Sequence, residues 1–130
     1  MKKGILFLAL MGFLSSCCKE DDDMKSNCSD IVGSWKLTEV LADPGDGSGT
    51  FHSVTSSKTL KFNKSGNVTS NGSICEMSIE SNSNSSATYS EDNETINCQN
   101  TEIRYELNGN TLVLTYPCFE ACEAKYIKVQ

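Results

Sequence analysis

The cysteines are the residues whose type and spacing indicate chemistry in this chain, and the first of them is Cys17. Lys2 and Lys3 precede an apolar run over residues 5–14, and two serines separate this run from Cys17. A positive start, an apolar core and small residues before a cysteine form the order of a bacterial lipoprotein signal, in which the cysteine thiol accepts a diacylglycerol. The run is much shorter than the roughly 20 apolar residues that a membrane-spanning helix needs. This order predicts a signal peptide over residues 1–16 and lipidation of Cys17, with an ordinary secretory signal or a short membrane anchor as alternatives.

Residues 17–28 are predicted to be a lipidated acidic tether. They contain an acidic run from Glu20 to Asp23, and like charges repel one another and stay solvated, so no fold is expected there. Two or three acyl chains on Cys17 would anchor the chain stably to a bilayer. An acidic stretch directly after the lipidated cysteine resembles the export signal of surface lipoproteins in the Bacteroidetes. The resemblance implies a lipid-anchored protein on the surface of the bacterial outer membrane, with retention on the periplasmic face as the alternative.

The other cysteines indicate a disulfide framework. An exported protein meets an oxidising compartment, where thiols pair. Six cysteines allow 15 complete pairings, so counting does not give the connectivity. The chain has one histidine and no C-x-x-C pair, which disfavours a zinc site, and no metal or cofactor is predicted. The six are Cys18, Cys28, Cys75, Cys98, Cys118 and Cys122.

The charge of the chain excludes one class of partner. The formal net charge is -6, and loss of residues 1–16, which hold two lysines and no acidic residue, makes it -8. Nucleic acid and anionic lipid are therefore not expected partners, because phosphate binding needs a basic face. Residues 29–130 remain for folding, which is enough for one domain with a single core.

Apolar and polar residues alternate with a period of two through this domain, and no segment has a convincing helical period. Glycine and proline cluster in residues 43–49 and predict a loop, as do the serines and asparagines of residues 78–86, part of which we expect to be mobile. Asn108-Gly109 between two alternating runs is a strong hairpin signal. Strands are predicted over about residues 31–41, 57–63, 68 to 75 or beyond, 87–90, 94–98, 103–107, 112–116 and 122–129.

Eight short strands joined mostly by tight turns predict an all-β fold, a small eight-stranded antiparallel up-and-down barrel, with a sandwich as the main rival. Gly33-Ser34-Trp35 on the first strand resembles the G-x-W motif of lipocalins. Residues 59–63 followed by 65–69 look like the small lipocalin-like lipoproteins of the Bacteroidetes. The resemblance covers residues 31–129 and implies a lipocalin-like β-barrel domain over residues 29–130.

The chain departs from full lipocalins in its motifs and its length. It has no T-D-Y-like second motif, and its last strand carries Lys125 and Lys128 where lipocalins place an arginine over the tryptophan. It is also shorter and lacks the flanking helix. For Trp35, a role as a core side chain that plugs one barrel end, with its indole N–H on a backbone carbonyl, is favoured over ligand contact.

An up-and-down order also predicts which cysteines meet. It places the loop 42–56, Cys75, Cys98 and the connection 117–121 at one end of the barrel, which we expect to be the open end. The predicted bridges are Cys75–Cys98 and Cys118–Cys122, while Cys18 and Cys28 either pair with each other or stay free. The first of these bridges closes the longer loop and would stabilise the fold by about 2 to 4 kcal/mol.

Catalytic alternatives are disfavoured by spacing and surroundings. Cys118 and Cys122 are one residue further apart than a C-x-x-C redox pair and have acidic neighbours, which raise a thiol pKa. His52 lies in a loop without a nucleophile elbow. Asp43 and Asp46 lack the alternating carboxylates and closing glutamate of a calcium loop. The sequence therefore predicts a protein that is not an enzyme.

Two classes of function remain. Resemblance to lipocalins implies a binding module whose barrel holds a small apolar or amphipathic molecule near the loop 42–56. The alternative is a filled barrel, a structural or inhibitor-like protein that contacts another envelope protein and has no small ligand. The expected partners are the membrane, through the lipid, and either a small hydrophobic ligand or an envelope protein. The residues predicted to line the barrel interior are Trp35, Phe62, Tyr89, Tyr105, Leu112 and Tyr116.

Overall fold

The part of the chain that the structure describes forms nine β-strands, eight of them from the alternating segments of the sequence. The computed structural model describes residues 30–129, so the predicted signal peptide, the tether, Cys17, Cys18 and Cys28 lie outside the described residues. The strands are β1 (Gly33–Ala42), β2 (His52–Ser53), β3 (Thr59–Phe62), β4 (Asn67–Ser70), β5 (Ser85–Ser90), β6 (Thr95–Cys98), β7 (Thr101–Asn108), β8 (Thr111–Thr115) and β9 (Cys122–Lys128).

The strands close into a barrel because β1 pairs with β3 on one side and with β9 on the other. All pairings from β3 to β9 are antiparallel and join neighbours in the chain. The wall therefore has eight strands, β1 and β3 to β9, which confirms the predicted barrel and not the sandwich. The added strand β2 lies in the predicted loop 42–56 and pairs with β1 at Glu39 and Val40.

A register shift in β1 decides which of its side chains face the core. The pairing with β9 is irregular between Leu37 and Glu39. Trp35 and Leu37 are buried, and after the shift Val40 is buried instead of Glu39. A bulge of this kind turns the following side chains to the other face of the strand. It keeps a carboxylate out of the core.

The third predicted strand is too long. β4 ends at Ser70, and Cys75 belongs to the connection that leads to β5. At Gly72 the backbone comes so close to the carbonyl oxygen of Glu80 that a Cβ atom would lie 2.2 Å from it. The chain crosses itself there and cannot continue as a strand. The fourth predicted strand begins earlier than expected, because Ser85 pairs with Ser70.

The predicted hairpin between β7 and β8 is present. Asn108 pairs with Thr111, so the turn consists of Gly109 and Asn110, with Gly109 at a φ of 60°. A two-residue hairpin turn that needs a positive φ at its first position favours glycine there. The signal in Asn108-Gly109 was therefore correct, although the asparagine is the last residue of the strand.

The core is one contiguous cluster of inward side chains from the whole circumference of the barrel. Trp35, Tyr126, Phe62, Leu60 and Leu112 are among its fully buried members. Within residues 30–129, no helix has the length and apolar character needed to cross a bilayer.

Candidate functional site

The barrel has two ends that differ in how they are covered. The lower end carries the short turns 63–66, 91–94 and 109–110. The upper end carries the longer connections, among them residues 71–84, which we call the covering segment, and residues 116–122, which we call the Phe119 loop. Access to the interior therefore depends on the aromatic side chains and the loops that cover each end.

Trp35 seals the lower end. It is fully buried, and its indole N–H donates to the carbonyl of Ile31 at 2.8 Å. The ammonium of Lys128 lies 5.3 Å from the centroid of the indole ring and donates to the carbonyl of Asp30 at 2.6 Å. A cation over an aromatic face is attracted by the ring electrons. Lys128 thus takes the position over the tryptophan that lipocalins give to an arginine.

Three more of the predicted lining residues belong to the same closed end. The Phe62 ring lies edge-on to Tyr89 at 5.0 Å and to Tyr105 at 6.4 Å between centroids. The Tyr89 hydroxyl donates to the carbonyl of Asn63 at 2.7 Å, and the Tyr105 hydroxyl to that of Ser90 at 3.2 Å. Burial, and then the charge of Glu91, raise the pKa of Tyr105 to about 12. These hydroxyls close the end of the barrel and hold backbone groups of its turns.

The remaining two predicted lining residues, Leu112 and Tyr116, lie further from the closed lower end. Leu112 is fully buried, and Tyr116 is buried at the top of β8. The hydroxyls of Tyr116 and Tyr126 are near enough to perturb each other, yet within the described part of the chain neither makes a hydrogen bond of ordinary geometry. Burial raises the pKa of Tyr116 to about 12 and that of Tyr126 well above its usual value.

Sequence reasoning missed Tyr126, although a signal for it was present. Cys122, Ala124 and Tyr126 alternate along β9 and are all buried. The same period of two that identified the strand therefore places Tyr126 on its inner face.

The covering segment folds over the upper end. Ile74 is fully buried in the core, and Cys75 and Met77 pack against it. The Ser56 hydroxyl donates to the carbonyl of Ile79 at 2.6 Å. The segment is therefore held by an apolar plug, by a few polar contacts to its backbone and by one covalent bridge. The predicted open end is covered in this structure.

Lys58 is a buried charged residue that contacts the covering segment. Its side chain is fully buried, and its ammonium donates to the carbonyl of Ser78 at 2.7 Å. Burial lowers its pKa from 10.5 to about 8. The residue type did not predict the burial of Lys58, because lysine is rarely buried. Its position did predict burial, because Lys58 alternates in phase with Leu60 and Phe62, which face the core.

Both predicted disulfides are present. Cys75–Cys98 joins the covering segment to the end of β6, and Cys118–Cys122 closes the Phe119 loop. Two elements of the upper end are thereby fixed to the barrel wall by covalent bonds. The thiols that a redox role would need are paired in this state.

Two open clefts lie on the outside of the wall. One, of about 820 Å³, runs beside the Cys75–Cys98 bridge, and another, of about 580 Å³, runs along β3, β4 and β5. Serine, threonine and asparagine side chains dominate both linings, and none of the six predicted lining residues takes part.

The aspartates of the loop 43–49 have a structural role. The Asp43 carboxylate accepts backbone N–H groups from Gly45 and Gly49 at 2.7 Å and from Gly47 at 3.0 Å. These hydrogen bonds, that of Gly49 first, lower the pKa of Asp43. The only histidine, His52, is exposed. Among residues 30–129, no group of three or more His, Cys, Asp or Glu side chains is placed to hold a metal ion.

A closed eight-stranded antiparallel barrel with a buried tryptophan at its sealed end defines a lipocalin-like barrel, a fold that supports small-molecule binding. The model of the lipocalin-like domain family matches residues 31–128, and the chain belongs to this family. Searches among curated proteins and among solved structures gave no match.

Proposed function

We propose that the protein is a lipid-anchored binding protein of the bacterial outer membrane that takes one small apolar or amphipathic molecule into its barrel. Cys17 would carry the lipid, and the acidic run after it supports display on the cell surface, as in lipoproteins of the Bacteroidetes type. No catalytic step is part of this proposal. The function is passive binding of a molecule by a protein held at the membrane.

The observation that carries the proposal is a pair of buried hydroxyls in the barrel core. Tyr116 and Tyr126 are 5% and 0% exposed, and their hydroxyls interact with each other but make no hydrogen bond of ordinary geometry with any described residue. A buried polar group left without a partner costs about 1 to 3 kcal/mol. A hydroxyl, carboxyl or carbonyl group on a bound molecule would supply the missing partner, while the apolar part of that molecule packs on the surrounding side chains.

The two ends of the barrel indicate the route of entry. The lower end is closed by side chains that hold backbone carbonyls, so opening it would break Trp35 and Tyr89 out of their hydrogen bonds. The upper end is closed by the covering segment, which buries Ile74 and is joined to β6 by the Cys75–Cys98 bridge. The segment contains no strand of the wall, so it can move while the pairing of the wall strands stays intact. On this proposal the bound molecule enters from the upper end.

Native mass spectrometry of the protein purified from its own membrane tests this function. We expect an additional mass that leaves on denaturation. Tyr116→Phe should lower the fraction of protein that carries this mass, because the variant lacks one of the two hydroxyls. Tyr89→Phe is the matched control, since its hydroxyl is already bonded to the Asn63 carbonyl, and it should leave the fraction unchanged. Equal loss in both variants, or no bound mass in the wild type, would contradict the proposal.

The packing of the interior favours a second candidate, a filled barrel that acts through its surface. All six predicted lining residues are between 0% and 9% exposed and belong to one cluster. Such packing resembles that of an ordinary protein interior, with no space kept for a bound molecule. On this candidate the protein carries no bound mass, in the wild type and in Tyr116→Phe alike.

A further inference from the structure

The Phe119 loop is fixed at its base from several directions. The Tyr116 N–H donates to the carbonyl of Cys122 at 3.0 Å, and the Cys118 N–H to that of Tyr116 at 2.9 Å. The Asp43 N–H donates to the carbonyl of Ala121 at 2.8 Å, which joins this loop to the loop 43–49. The bridge Cys118–Cys122 holds the two Cα atoms 6.1 Å apart, so the chain reverses between them.

At the apex of this fixed loop, Phe119 is fully exposed. The other exposed large apolar side chains of the described residues, Ile79, Ile127 and Val129, keep more than half of their surface covered. Single exposed apolar residues are common and need no explanation by themselves. Phe119 differs because a disulfide and three backbone hydrogen bonds hold it away from the barrel, where it contributes no packing to the fold.

The surroundings of Phe119 are acidic. Glu120 follows it, and a Cβ atom on Gly45 would lie 3.4 Å from the Glu120 carboxylate, so the loop 43–49 with Asp43 and Asp46 is adjacent. Backbone hydrogen bonds lower the pKa of Asp43 and the Ser48 hydrogen bonds lower that of Asp46, so both groups add negative charge beside Glu120. The nearby Lys125 is already paired with Glu39.

We propose that Phe119 is the anchor of a docking surface for a partner protein that offers a phenylalanine-sized apolar pocket with a rim of lysine and arginine. An aromatic side chain that fills a pocket, surrounded by complementary charges, is a common centre of binding energy at protein interfaces. The fixed loop lowers the entropy lost when the side chain becomes ordered on binding. The acidic rim disfavours the anionic surface of a membrane as the occupant. This docking surface is independent of a molecule in the barrel.

Site-specific cross-linking in the cell identifies the partner. Full-length protein carries a photoreactive benzoyl-phenylalanine at position 119 or, as a control at the lower end, at position 110. We expect one discrete protein adduct from position 119 that position 110 does not give. Adducts with lipid alone, or the same adducts from both positions, would overturn the proposal.

The cross-linked protein is then purified and its affinity for the full-length chain is measured. Phe119→Ser should weaken binding by about 10- to 100-fold, the loss expected from one buried phenylalanine. Phe119→Leu should lose much less, and Ile127→Ser, which removes an exposed apolar side chain at the lower end, should change nothing. Glu120→Lys should weaken binding most at low salt. A partner that binds wild type and Phe119→Ser equally would show that Phe119 is not the anchor.

Vesicles made of phosphatidylglycerol and phosphatidylethanolamine test whether Phe119 docks on a lipid surface instead of a partner protein. A form of the protein in which a cleavable secretory signal replaces residues 1–17, and which therefore carries neither the lipid nor the apolar run, should not bind them. Binding that disappears when this form also carries Phe119→Ser would overturn the proposal in favour of a lipid surface.

Discussion

Lys58 links the covering segment to the barrel through a single buried charge. Its aliphatic stem packs beneath the segment, where a Cβ atom on Gly72 would lie 3.2 Å from Cδ of Lys58. Its ammonium reaches the carbonyl of Ser78, the one acceptor that the structure gives it. A buried cation with one neutral acceptor is unfavourable compared with the same cation in water. This unfavourable free energy arises where the covering segment contacts the barrel wall.

The cost makes the stability depend on pH in a defined direction. In the unfolded chain the lysine titrates near 10.5, and in the folded protein near 8, so between these values the unfolded state binds more protons. The free energy of unfolding therefore rises with pH through this window, and the full penalty is present below pH 8. We expect a rise on the order of 1 kcal/mol from pH 8 to pH 9, measured by denaturant unfolding with Trp35 fluorescence as the signal.

Two variants separate this effect from other titrations. Lys58→Met removes the ammonium and keeps an apolar stem, so the rise with pH should disappear. Lys61→Met removes an exposed lysine from the same strand and should keep the rise. The measurement stays below about pH 9, because above that value tyrosines of the unfolded chain begin to lose their protons while the buried tyrosines, with pKa values raised to about 12, keep theirs, and this opposes the trend. An unchanged rise in Lys58→Met would show that another group causes it.

The covering segment depends on a close crossing of two backbone stretches. A Cβ atom at Gly72 would meet the Glu80 carbonyl oxygen at 2.2 Å, which no real Cβ contact tolerates. Gly72→Ala should therefore shift the segment and lower the free energy of unfolding by about 1 to 3 kcal/mol. Hydrogen exchange of residues 71–84 should also become faster. Glu76→Ala, an exposed change in the same segment, is the control. Equal free energies of unfolding and equal exchange rates in the two variants would contradict the close approach of the Gly72 and Glu80 backbones.

The two disulfides should contribute unequally to stability. Cys75–Cys98 spans 23 residues and Cys118–Cys122 spans 4, and a bridge restrains the unfolded chain more when it closes a longer loop. Replacing the first pair by serines should lower the free energy of unfolding by about 3 kcal/mol, and replacing the second by about 2 kcal/mol. Guanidinium titration of both double variants gives the order. The reverse order would show that strain or residual structure outweighs chain entropy.

The regular elements could be predicted because each strand has a buried and an exposed face. Alternation identified the eight strands of the wall, and their order then identified both cysteine pairs. The covering segment was not predictable, because its serines and asparagines have no period and its path depends on the close approach of the Gly72 and Glu80 backbones, which the sequence does not indicate. The two residues of β2 carry too little pattern to be recognised.

At the scale of the whole molecule, the sequence indicated the direction of side chains but not how completely they fill the barrel. Phe62, Tyr89 and Tyr105 face inward as predicted, yet they pack on one another and hold the lower turns. Direction follows from local period, whereas packing depends on contacts between strands that are distant in the chain. The burial of the Tyr126 hydroxyl beside that of Tyr116, which carries part of the proposed binding function, is a product of those distant contacts.

The proposed location of the molecule rests on the segment before the barrel and can be tested independently of the barrel. Replacing residues 1–17 by a cleavable secretory signal removes the thiol that accepts the lipid, so the protein should move from the membrane fraction to the soluble fraction of disrupted cells. Replacing the acidic residues 20–23 by alanines leaves lipidation intact and should change only the face, so that protease added to intact cells no longer digests the protein. Replacing Lys25 by alanine is the matched control and should leave the protein accessible. Digestion of the alanine variant at the wild-type rate would contradict the export role of the acidic run while leaving the lipid anchor in place.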